Sequence, residues 1–205
     1  HNCSFADCSA VNGGAVNWDG YNGTVFDCSF VNCSTTSEND AFGGAIYWCG
    51  EYGNVSGCSF VNCSASGDYS RGGAIYWVWA SNGVVSDCSF VNCSVAAADD
   101  NEARGGAIYW DADSGSVSDS SFVNCSTTGE NDAYGGAIYW SGGSGSVSDC
   151  RFMNCSACGD YASGGAIYWE ADSGSVFGCS FLACSAKNGG AICWSSYDGS
   201  VLGCS

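Results

Sequence analysis

"GGAIYW" occupies residues 43–48 and returns at 72–77, 105–110, 135–140 and 164–169. Variants stand at either end of the series, "GGAVNW" at 13–18 and "GGAICW" at 189–194. The glycine pairs recur at intervals of 30, 29, 33, 30, 29 and 25 residues. Each unit reads roughly S-V-S-D-C-S-F-V-N-C-S, a variable stretch, then G-G-A-I-Y-W. A repeat of this length signals a solenoid, a propeller or an array. The units are rich in Gly, Ser, Asn, Val, Tyr and Trp, which disfavours helical repeats. They are too short for four-stranded propeller blades. Three short strands and three turns fit, which is one coil of a parallel β-helix. The sequence therefore predicts an all-β solenoid of about seven coils over 1–205, with no domain boundary.

A larger period lies over the first. Residues 24–48 match 116–140 at 20 of 25 positions, and 67–77 match 159–169, both at an offset of 92. Three coils have been duplicated as a block.

In such a fold equivalent residues of successive coils stack about 4.8 Å apart. A residue that suits its neighbour above then suits the one below, and the same word recurs. The glycines let the backbone turn into the strand. Within "AIYW" the fourth position of the word is always Ile or Val and the sixth always Trp. The Tyr gives way to Asn17 and Cys193 in the end coils. This predicts Ile and Trp inside, Ala and Tyr outside. Tyr47, Tyr76, Tyr109, Tyr139 and Tyr168 would form an external aromatic column. Val117 and Phe122 should point inward, with bends at Asp119 and Asn124.

Apolar residues make up 46% of the chain, enough for a core, and the net charge of −17 repels nucleic acid and anionic lipid. No nucleic-acid partner is expected. No apolar run reaches the roughly 18–20 residues of a membrane span, so no membrane insertion is expected either. The chain begins at His1 rather than Met, so either a leader has been removed or the chain is a piece of a longer one. Proline is absent, which leaves the turns to Gly, Asn, Asp and Ser.

Seventeen cysteines at fixed C-x4-C spacing point to disulfides and an oxidising compartment rather than to zinc, since His1 is the sole histidine. They form two columns. Pairing within a coil would give Cys3–Cys8, Cys28–Cys33, Cys58–Cys63, Cys88–Cys93, Cys150–Cys155 and Cys179–Cys184. Ser120 would leave Cys125 alone, and Cys204 would be free or bonded to another chain. Cys49, Cys158 and Cys193 stay unassigned. The competing readings are pairing up a column, or two ladders of buried thiols.

The words "GGAI" and "F-x-N-C", as in Phe30-Val31-Asn32-Cys33, resemble the repeats of polymorphic outer-membrane proteins and of adhesin-like proteins of methanogenic archaea. There the words are GGA[ILV] and FxxN. Here the Asn falls one residue earlier and Cys33 takes the usual Asn place. The resemblance implies a right-handed β-helix and an extracellular or cell-surface structural protein, often adhesive.

Enzymes that act on polysaccharides share this fold. A glycosidase needs two carboxylates at a set separation, and the acidic residues here sit in repeated turns. The four basic side chains are scattered, so a non-enzymatic role without cofactor is expected. Ca²⁺ binding by "SEND" (37–40), "ADDNE" (98–102), "GENDA" (129–133) or "EADSG" (170–174) competes with these being solvated loops, the favoured reading. Sequons make Asn22, Asn32, Asn54, Asn62, Asn92, Asn124 and Asn154 glycosylation candidates, with a further sequon at Asn2. The chain starts and stops at the same phase of the coil, which suits end-to-end self-association into filaments or a stalk. The alternative is a module that binds glycans or proteins through the Tyr column.

Overall fold

A computed structural model describes residues 1–98 and 101–205. It is an all-β solenoid of parallel strands, with no helix among the described residues. The second coil shows the plan. Its strands are β5 (Ser29–Val31), β6 (Ser34–Thr36), β7 (Asp40–Phe42), β8 (Ile46–Trp48) and β9 (Asn54–Ser56). Each pairs with its counterpart in the adjoining coils, which builds five sheets. Three of them are seven strands deep, so the chain makes about six turns between the first and last strands of one sheet. We call these the Phe, Trp and Val faces, after Phe30, Trp48 and Val55. The sheet through β6 is the Ser-Thr face. Among the described residues a short flanking sheet through β7 has strands in the second to fifth coils, and single bridges continue it beyond them.

The expected three strands per coil are thus corrected to four in the first to sixth coils, with a fifth in the coils that carry the flanking sheet, while the last coil keeps three. The extra strand comes from the backbone at Asp119 and its equivalents. Asp119 and Asn124 have φ of 49° and 53°, in the left-handed region. Each turns the chain sharply enough to end one strand and begin another. Asx side chains tolerate this geometry better than most.

The repeated glycine pair makes another corner. Gly43 has φ 64°, and a Cβ there would lie 2.1 Å from the Ile46 carbonyl oxygen. At Gly44 a Cβ would lie 2.1 Å from the Gly73 carbonyl oxygen of the next coil. The first glycine supplies the turn and the second allows coils to approach.

The register is strict. Ile46 pairs with Ile75 and Trp48 with Trp77, and Phe60 lies between Phe30 and Phe90. Phe rings stack with centroids 4.7–4.9 Å apart and planes within 6°. The Trp column stacks at 4.7–5.2 Å. Phe, Trp, Ile, Val and Cys side chains from Val25 to Cys179 form one apolar cluster. Val117 and Phe122 point inward as expected. Ala45 does not face out. It joins Ile46 and Trp48 in the interior, because the turn at the glycine pair breaks strict alternation. Each indole N–H needs an acceptor once buried. Trp48 donates to the Gly50 carbonyl at 2.6 Å and Trp110 to that of Ala112 at 2.9 Å.

Candidate functional site

The predicted external aromatic column is covered. Tyr76, Tyr109 and Tyr139 are only 6, 4 and 1% exposed, and Tyr47 and Tyr168 are half-buried. The cover comes from the residue before each glycine pair. Backbone reversal at Gly43 folds the flanking sheet back over the Trp face. Phe42 then stacks on Tyr76 at 4.6 Å. Arg71 lies over Tyr109 at 5.3 Å, and Arg104 over Tyr139 at 4.9 Å. Tyr134 covers Tyr168 at 4.8 Å. These rings form a second apolar cluster outside the main core. Tyr76, Tyr109 and Tyr139 offer no exposed ring face for a sugar: the column lies outside the Ile and Trp core as expected, but its middle is corrected from an open column to a covered one. The signal was present in the sequence, as the bulky residues at 42, 71, 104 and 134.

The second cluster is also polar at its edges. Arg104 pairs with Glu102 at 2.6 Å. Burial pulls the Arg104 guanidinium pKa down, but Tyr139 and Glu102 outweigh it and hold the pKa above its ordinary value. Tyr139 donates its hydroxyl to Glu170. Desolvation raises the Tyr139 and Tyr76 pKa values.

All seventeen cysteines are free thiols. The expected pairs Cys3–Cys8, Cys28–Cys33, Cys58–Cys63, Cys88–Cys93, Cys150–Cys155 and Cys179–Cys184 are not formed. A three-residue strand separates the two members of each inner pair. Such a strand spans roughly 10 Å, beyond the reach of a disulfide. Instead the thiols of the two columns bond to backbone carbonyls. Cys88 Sγ donates to the Ser86 oxygen at 3.1 Å and reaches the Val55 oxygen of the preceding coil at 3.7 Å. Cys93 does the same toward Val91 and Phe60. Ser120 keeps the pattern, donating to Ser118 at 2.7 Å and accepting from the Cys88 amide at 3.1 Å. Desolvation raises the pKa of Cys33 and Cys125, which keeps these thiols protonated at neutral pH. Cys49 lies outside the columns. Burial first, and its bond to Asp19, push it up to about 11.

The sequon asparagines form an amide ladder that sequence reasoning missed. Asn62 donates to Asn32, Asn92 to Asn62, and Asn124 to Asn92, each at 3.1 Å. Asn154 donates to Asn124 at 3.2 Å, and Asn32 caps the series on Asp7 at 2.9 Å. All five are solvent-exposed, as are Asn22 and Asn2, whereas Asn54 is half-buried. The signal was the Asn in every F-V-N word, read there as turn chemistry only.

Among the described residues no group of three or more His, Cys, Asp or Glu side chains is placed to hold a metal ion. Two of the acidic carboxylates are taken up by tyrosines, Glu170 by Tyr139 and Asp132 by Tyr134. The stretch 98–102 includes residues 99 and 100, which lie outside the described residues. No described helix is long and apolar enough to cross a membrane. Comparisons with protein families, curated proteins and solved structures found no match to this chain.

Proposed function

We propose that this chain is an extracellular or cell-surface structural repeat protein, a stiff rod segment that associates end to end with its own kind. The reading is non-catalytic and needs no cofactor. The observation that carries it is the in-register stacking of identical residues. Each coil presents to the next the same Phe ring, the same indole, the same Ile and the same strand register.

Within residues 1–205 the first and last coils carry the same columns. Phe5, Val16 and Trp18 are half-buried in the first coil, and Phe181, Ile192 and Trp194 in the last. Parallel strand edges left open are templates for further strands. A second copy placed on this stack would bring Trp194 over Trp18 with the spacing already found between indoles. Such a heterologous contact does not close on itself, and it yields filaments. Acidic character with only four basic side chains suits a solvated outer surface. The free thiols do not carry the extracellular reading. It rests on the resemblance in the GGAI and F-V-N-C words.

Sedimentation velocity of residues 1–205, with negative-stain microscopy of the same sample, tests the association. Species many times larger than 21.0 kDa, seen as thin rods, are expected. A monomer at all concentrations overturns it. Immunogold labelling of intact producing cells tests the location, and label confined to the cell interior overturns that part.

A further inference from the structure

The corner between the Trp and Val faces carries side chains that the fold does not need. In the first three coils it holds Tyr21, Tyr52 and Trp79, which are 72, 55 and 77% exposed. The same corner in the fourth to sixth coils holds Asp113-Ser114, Gly143-Ser144 and Asp172-Ser173. Those residues turn the chain equally well.

Two of the aromatics sit where the backbone resists them. Tyr52 and Trp79 have φ of 57° and 55°. At the turn position of Tyr52 the other coils use Asn22, Asn82, Ser114, Ser144, Ser173 and Asp198. Bulky side chains are poor occupants of the left-handed region. Trp79 is an inserted residue. Trp77 reaches three residues on, to the Ala80 carbonyl at 2.9 Å, where Trp48 reaches two. The extra residue is therefore pushed outward while the indole bond is kept.

The internal duplication isolates this corner. Residues 24–48 and 116–140 agree at 20 of 25 positions. The loop that follows does not: "CGEYG" at 49–53 faces "SGGSG" at 141–145, and "VWASNG" at 78–83 faces "EADSG" at 170–174. The two copies differ in the loops that meet solvent, and one copy carries aromatics there that the other lacks.

We propose that Tyr21, Tyr52 and Trp79 form a ledge that binds a neutral polysaccharide. Exposed aromatic faces stack on the C–H faces of pyranose rings. Carboxylates and amides beside them, at Asp19, Glu51 and Asn82, bond sugar hydroxyls and fix orientation. The three rings stand on successive coils, about 4.8 Å apart along the stack, at neighbouring rather than equivalent positions of the loop. The charge of −17 repels uronates and sulfated glycans, which leaves neutral polymers. A protein partner would need a contiguous apolar core, and Gly20, Glu51 and Asn82 interrupt the rings. This ledge is separate from the covered Tyr column and does not depend on end-to-end association.

Affinity electrophoresis of residues 1–205 tests it, in gels containing hydroxyethylcellulose, laminarin or galactomannan, with polygalacturonate as the acidic control. At least one neutral polymer should retard the protein and polygalacturonate should not. The double variant Tyr52→Ser, Trp79→Gly should lose affinity by about tenfold or more. Ser fills the Tyr52 position in other coils and Gly suits the φ of Trp79, so this variant keeps or gains thermal stability. Loss of binding with an unchanged or higher Tm supports the ledge. No retardation by any of the three neutral polymers overturns it. So does unchanged retardation of the double variant, or equal retardation by polygalacturonate.

Discussion

Asn92 donates its side-chain amide to Asn62 and receives that of Asn124, both at 3.1 Å. The same residue holds its backbone at φ 53°. It therefore serves the turn and the stacking of coils together, and the two roles separate by substitution. Asn92→Gly keeps the turn and removes the ladder bonds. Asn92→Ala removes both. Urea denaturation should place Ala below Gly in stability, with Ala about 1–3 kcal/mol under wild type. Equal stability of all three would show that the ladder and the turn contribute nothing measurable.

The Phe and Trp columns set the size of core effects. Trp110 and Phe90 are fully buried between like rings. Replacing either by Ala should cost about 3–5 kcal/mol. Tyr69→Ala, at an exposed position, should stay within about 0.5 kcal/mol of wild type.

Thiol accessibility follows burial. Cys3 and Cys158 are exposed, whereas Cys33, Cys63, Cys93, Cys125 and Cys155 are buried. Alkylation of the native, unreduced protein should label Cys3 and Cys158 rapidly. The buried thiols should react only after denaturant is added, without any reductant. A requirement for reductant would restore the disulfide pairing within coils.

Alkaline pH should destabilise the protein. The Cys49 pKa rises from its ordinary 9.0 to about 11 in the folded chain, from burial and then Asp19. Tyr76 and Tyr139 shift in the same direction. A raised folded pKa means that the unfolded chain loses its protons first. The associated stability is whole below pH 9 and falls as pH climbs toward 11. Thermal melts should show a flat Tm up to about pH 9 and a steady decline above it. Asp19→Asn should lower the Cys49 pKa, seen as faster alkylation of Cys49 at pH 9.5.

Arg104 offers a test of a half-buried charge. Among the described residues its Nε finds no hydrogen-bond partner, while its Nη2 meets Glu102 at 2.6 Å. Arg104→Met should sit within about 1 kcal/mol of wild type or above it. Glu102→Gln, which strands the cation, should cost about 1–3 kcal/mol.

The solenoid was legible because stacking writes its own constraint into each repeat. The spacing of GGAIYW gives the coil, and the fixed Ile and Trp give the inward face. Two things escaped. A three-strand coil was expected because S-V-S-D-C-S-F reads as one strand, and only the left-handed backbone at Asp119 divides it. The Tyr column was placed outside because alternation puts it away from Trp48. Nothing in a single repeat says that Phe42 and Arg71 fold back over it. That cover depends on a reversal at Gly43, a through-space contact between residues on either side of a corner. The ledge at Tyr21, Tyr52 and Trp79 was visible only as irregularity in otherwise regular loops.

Columns of like residues carry an ambiguity during folding. If one coil is skipped, Phe still meets Phe, Trp meets Trp and Asn meets Asn, so the mispaired stack keeps most of its native contacts. What penalises the slip is the set of odd residues. Ser120 stands among cysteines, Arg71 and Arg104 are neighbours over Tyr rings, and the third coil carries the extra Trp79. These exceptions act as index marks on a uniform scale. Erasing them to make a perfect repeat would leave each coil as well packed as before and its place in the order less defined.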